Sequence, residues 1–128
     1  MPETVVLDSS AILAVLLYEA GNQIVAPLLA GGYVSTLNLS EVHARMLRRG
    51  TSPDIIWKRI LSLNCVACPF TPDYARVAAE LISATRPFGL SLGDRACLAL
   101  AMERKAKVYT TDKAWQSLSL GIEIEVIR

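Results

Sequence analysis

Four acidic residues stand at the points where this sequence passes from strand-like to helix-like segments: Asp8, Glu41, Asp94 and Asp112. Carboxylates brought close together raise one another's pKa and burden the fold unless a cation neutralises them. Hard divalent cations do this with oxygen ligands and retained waters. A site with no paired His or Cys favours Mg²⁺ or Mn²⁺ over zinc. Such an ion lowers the pKa of a bound water and offsets charge on a phosphoryl group, so phosphodiester hydrolysis is the chemistry these residues would support if they met.

The surrounding pattern says where they lie. Thr4-Val5-Val6-Leu7 is a short apolar run ended directly by Asp8, and reads as a buried strand. Ser9 and Ser10 offer N-caps for a helix through Leu17. A second helix is predicted over 22–30, a strand over 33–36, and a helix from Asn38 or Ser40 to Arg49, with Glu41 in its first turn. Ser52-Pro53-Asp54 and Thr71-Pro72-Asp73 each open a helix with a capping residue and an N1 proline; these helices run to about Leu63 and Thr85. Between them Cys65 to Pro69 is a third strand. Ser91 starts a helix reaching Arg104, followed by a strand over 107–110, a short helix over 112–118 and a strand over 122–127.

Alternating strands and helices imply a mostly parallel five-stranded sheet covered on both faces, a three-layer α/β/α sandwich. Ligands bind such sheets beyond the carboxyl ends of the strands. Asp8 ends the first strand and Asp112 follows the fourth. The helix bearing Asp94 runs antiparallel to its strand, so its amino end shares that edge. If the first strand is central, with the second and fourth beside it, all four acids converge. Read singly, each acid has a plainer role, because carboxylates cap helices and suit the helix dipole. Ser91-x-x-Asp94 is a capping box, and Asp54 and Asp73 are explained by capping alone. Asp8, at the end of a buried apolar run, departs furthest from that reading.

A chain of 128 residues, 52% hydrophobic and 20% charged, is predicted to form one domain over 1–128 without disulfide support. The net charge of +1 does not announce a nucleic-acid binder. The basic groups Arg45, Arg48 and Arg49, then Lys58 and Arg59, read as solvated helix faces, with contact to an RNA backbone as the alternative; Arg104, Lys105 and Lys107 form a third group. Three cysteines, no leader pattern at the start and no apolar run longer than Ala11–Leu17 predict a cytoplasmic protein with no membrane span.

The segments carrying the acids resemble a known family. Val6-Leu7-Asp8-Ser9-Ser10-Ala11, Leu39-Ser40-Glu41-Val42, Leu90-Ser91-Leu92-Gly93-Asp94-Arg95-Ala96 and Val108-Tyr109-Thr110-Thr111-Asp112 look like the acidic motifs of PIN domains, in order and over essentially the whole chain. The nearest likeness is to VapC-type toxins of prokaryotic toxin–antitoxin pairs. The resemblance implies a PIN-like sheet of order 3-2-1-4-5, with Asp8, Glu41, Asp94 and Asp112 as catalytic, metal-holding acids and Ser9 and Thr111 assisting by hydrogen bonds. It implies an Mg²⁺- or Mn²⁺-dependent endoribonuclease, an RNA substrate, a VapB-like antitoxin and a homodimer. Two alternatives stay open: an RNA-processing nuclease, or a non-catalytic RNA- or protein-binding module on the same scaffold. A receiver domain is disfavoured, since that family needs paired acids after the first strand.

Cys65-x-x-Cys68 reads as two buried apolar side chains, because strand positions three apart face opposite ways. Cys97 reads as core. His43, two residues past Glu41, points away from that carboxylate on a helix and reads as structural or partner-facing. The direction of Arg95 is left open.

Overall fold

The computed structural model describes residues 3–128; Met1 and Pro2, part of the opening stretch read as lacking a leader, lie outside the described residues. Five short strands form one sheet: β1 (Val5–Leu7), β2 (Tyr33–Ser35), β3 (Val66–Cys68), β4 (Lys107–Thr110) and β5 (Ile124–Val126). Their order is β3-β2-β1-β4-β5, and each neighbouring pair is parallel, in register at Val6↔Tyr33, Val6↔Val108, Val34↔Ala67 and Tyr109↔Glu125. β1 is thus central, with β2 and β4 at its sides, as the resemblance implied.

Alternation along the strands divides the core in two. Val5 and Leu7 face a layer built by α1 (Ser9–Leu16), α2 (Asn22–Val25), α3 (Thr36–Arg48) and α4 (Pro53–Ser62), through Ile12, Val42, Met46 and Ile60. Val6 and Val108 face the other layer, of α5 (Pro72–Glu80), α6 (Ile82–Thr85) and α7 (Leu92–Arg104), through Ala78, Leu98, Leu100 and the fully buried Trp115. β1 is buried on both faces, so it is an unbroken apolar run rather than an alternating one. Cys65, just before β3 and only half-buried rather than buried, packs against the first core; Cys68 lies buried in the second, on the opposite side of the sheet as expected, and all three cysteines are free.

Several boundaries differ from the sequence reading. The helix expected over 22–30 is α2 followed by a 3₁₀ turn over Ala26–Leu28, where Pro27 supplies no N–H to continue the α pattern. The helix expected to 85 breaks into α5 and α6, and a 3₁₀ turn over Arg86–Phe88 follows it. The short helix after Asp112 is a 3₁₀ segment, Lys113–Ser117. Helix α3 begins at Thr36, because Ser35, the last residue of β2, accepts a hydrogen bond from the Leu37 amide and caps it. Glu41 therefore sits in the second turn, not the first. Among the described residues no helix is long and apolar enough to cross a membrane.

Candidate active site

Asp8 is the most constrained of the acids. Its backbone occupies the N-cap position of α1, but its side chain makes no capping hydrogen bond. The carboxylate instead turns to the neighbouring strand. Oδ2 accepts from Ser10 Oγ at 2.6 Å and from Thr110 Oγ1 at 2.9 Å. Both hydroxyls are themselves acceptors of backbone amides, Ser10 Oγ from Thr111 at 3.0 Å and Thr110 Oγ1 from Asp112 at 3.1 Å. Their protons are thereby committed to Asp8. Oδ1 is buried and has no partner among the described residues. Burial pushes this carboxyl up to about 6; the two hydroxyls oppose that, and the charges of Asp94 and Glu41 add to it.

The other acids come from three further segments. Asp94 forms the predicted capping box: its Oδ2 accepts from the Ser91 amide at 2.9 Å, and Ser91 Oγ accepts from the Asp94 amide at 3.2 Å. Its carboxyl is also raised, by burial and by the charges of Glu41 and Asp112. Glu41 accepts at Oε1 from Asn38 Nδ2 at 2.9 Å, and the same nitrogen donates to the Gly93 carbonyl at 2.9 Å. Asp112 is exposed and caps the 3₁₀ segment, accepting from the Ala114 amide at 3.0 Å. Asp8, Glu41, Asp94 and Asp112 are thus linked electrostatically at the carboxyl edge of β1 and β4. Cys97, fully buried in α7, also feels Asp8, Asp94 and Glu41, which with burial raise its thiol well above the ordinary value.

These acids are near neighbours, not a closed cage. Among the described residues no three Asp, Glu, His or Cys side chains meet at one point at ligand distance. A cavity of about 420 Å³ opens at the opposite edge of the sheet, by Ala106, Lys107 and Gly121, away from these four acids. The residues nonetheless fit a hard cation that keeps its waters. Mg²⁺ takes one or two direct carboxylates and reaches the rest through bound water. An orphaned, desolvated oxygen such as Asp8 Oδ1 is the group whose burial a cation would offset.

Reading the sequence alone misses several contributors. The hydroxyls on Asp8 belong to Ser10 and Thr110, each one position from Ser9 and Thr111; among the described residues neither Ser9 nor Thr111 makes a side-chain hydrogen bond. Thr110 ends β4 beside Asp8, and Ser10, in the first turn of α1, reaches back toward that strand end. Asn38 is fully buried and bridges α3 to α7, with its Oδ1 unpartnered. Its spacing from Glu41, three residues on a helix, is the one local signal that could have found it. Gly93 lies against Glu41 so closely that a Cβ there would overlap the carboxylate. Arg95 leaves the site: Nη1 donates to the Ala78 carbonyl of α5 at 2.9 Å. His43 packs against Trp57 of α4, ring centroids 5.9 Å apart.

Residues 5–119 match the PIN domain family. The chain belongs to that family. PIN domains are a family of nucleases, and the sheet order and acid placement described above belong to this PIN domain. Its fold is shared with solved toxin–antitoxin structures. A toxin–antitoxin complex from Klebsiella pneumoniae superposes with a TM-score of 0.73 at 14% identity, over 98% of each chain. DNA-bound VapBC from Salmonella typhimurium gives 0.72 at 14%, over 97% of this chain and 98% of that one. VapBC-5 from Mycobacterium tuberculosis gives 0.61 at 22%, over 99% of each. At these identities the likeness carries the fold alone. No curated protein matches this PIN domain by sequence.

Proposed function

We propose that this protein is an Mg²⁺- or Mn²⁺-dependent endoribonuclease, the toxin of a type II toxin–antitoxin pair, acting in the cytoplasm as one domain over 1–128. The observation that carries the reading is the buried Asp8 carboxylate. It has one oxygen fixed by two committed hydroxyls, the other without a partner, and two further acids raising its pKa. Asp8, Glu41, Asp94 and Asp112 would hold the cation. Bound there, it would supply an activated water and offset charge on the phosphoryl group.

The chain's own residues have separate tasks. Ser10 and Thr110 keep Asp8 facing the site. Asn38 holds Glu41 against α7, and the capping box fixes Asp94 through Oδ2. Together the carboxylates orient a water for in-line attack on phosphorus. The partner proposed is a VapB-like antitoxin, in keeping with the complexes that share the fold, and the enzyme acts as a homodimer. A non-catalytic module on this scaffold would have no use for a desolvated carboxylate with an open oxygen.

Cleavage of single-stranded RNA is expected with Mn²⁺ or Mg²⁺, to stop with EDTA and to return when the metal is restored. Cleavage that persists in EDTA, or none with either metal, rejects the mechanism. A finer expectation concerns Gly93→Ala. The clash falls on the far end of a flexible side chain, so Glu41 moves rather than the backbone. Alanine in a helix gains about 0.8–1 kcal/mol over glycine, close to the ~1 kcal/mol of a lost Asn38–Glu41 hydrogen bond. Thermal melting should therefore change little while cleavage falls about 10-fold, the scale of a displaced supporting group. Unchanged cleavage would remove Glu41 from the site.

A further inference from the structure

We infer that Arg45 anchors an RNA phosphate adjacent to the one being cleaved, in a cleft that opens beside Asp8; the inference rests on the ribonuclease reading. The cleft, about 130 Å³, is lined by Ser10, Thr111, Arg45, Arg128 and Glu19 over an apolar floor that includes Leu13. It shares two of its walls with the acid site. Ser10 Oγ donates to Asp8 and accepts from the Thr111 amide. Arg45 lies on α3 four residues after Glu41, on the same helix face. The cleft therefore adjoins the acid site through Ser10 and Thr111.

The two arginines differ in commitment. Arg128 is spent within the protein: Nη1 donates to the Ala20 carbonyl at 3.1 Å and pairs with Glu19 Oε1 at 3.5 Å. That pair also offsets the charge of Glu19, the acid in the cleft. Arg45 has no ion pair or side-chain hydrogen bond among the described residues. Its guanidinium is thus a free, forked donor set suited to phosphate oxygens.

Electrostatics supplies the reason for a cation here. The chain has a net charge of only +1, so no general field draws a polyanion in. The carboxylates repel every phosphate except one screened by metal. An RNA strand can lie across them only if its next phosphate finds a local cation, and Arg45 is the uncommitted one on the adjoining wall.

The test uses Asp8→Asn protein, expected to bind while cutting far more slowly, and a labelled single-stranded RNA followed by anisotropy over a salt series in Mg²⁺. Adding Arg45→Ala is expected to flatten the slope of log affinity against log salt by about 0.7–1, one phosphate contact. Arg45→Lys should keep the slope and bind more weakly. Arg76→Ala, removing an exposed guanidinium paired with Glu80 on α5, should leave the slope unaltered. An unchanged slope with Arg45→Ala overturns the assignment, and if wild type still cleaves RNA only this inference falls. If no variant binds RNA and wild type cuts none, the ribonuclease reading falls with it.

Discussion

Asp8→Asn is expected to lower RNA cleavage by about 10²–10³-fold, corresponding to the several kcal/mol that correct metal placement contributes to the transition state. The same substitution should not unfold the protein. Asparagine can offer its carbonyl oxygen to Ser10 and Thr110 in place of Oδ2, preserving both hydrogen bonds. What disappears is a desolvated charge. Metal-free Asp8→Asn should therefore be at least as stable as wild type at neutral pH. Cleavage rates and urea unfolding measured on the same preparations decide the matter. A variant that cuts RNA at the wild-type rate would exclude Asp8 from the chemistry, and one that is inactive only because it is unfolded would contradict the energetic account.

The pH dependence of the metal-free protein should run opposite to that of most proteins. Asp8 titrates near its ordinary 3.8 in the unfolded chain and at about 6 in the folded one. The native state consequently holds more protons through that interval, and stability falls as pH rises across it. At 1.36 kcal/mol per tenfold change in proton affinity, this corresponds to about 2 kcal/mol lost between pH 4 and pH 6.5. Asp94, raised in the same direction, adds to the loss. Urea unfolding in EDTA should show the decline. Asp8→Asn should remove most of it, and millimolar Mg²⁺ at pH 7 should restore stability by binding the folded state alone. A flat profile in wild type, or the same decline in Asp8→Asn, would show that the carboxyl does not carry this charge cost.

Much of the architecture is legible in local sequence because each element announces itself. β1 is a continuous apolar run, since both faces of that strand are covered. The capping box at Ser91–Asp94 follows from spacing alone. What local sequence does not contain is order within the sheet, which came from the family resemblance, and contacts made across long separations. Asn38 meets Gly93 across 55 residues, and no property of either residue names the other. The start of α3 shifted for a related reason: Ser35 both ends a strand and caps a helix, and a pattern assigns it only the first task. Ser9-Ser10 and Thr110-Thr111 are pairs of like residues whose roles differ by backbone direction, which composition does not encode.

The pairing of β1 with β4, Val6 against Val108, joins positions roughly a hundred residues apart. While the chain is still emerging from a ribosome and the residues beyond α6 have not been made, Asp8 can meet Ser10 but not Thr110, Asp94 or Asp112. The centre is completed only when the last third of the polypeptide has been made. Under the proposed reading, a nuclease built this way would stay inert until its chain is nearly complete.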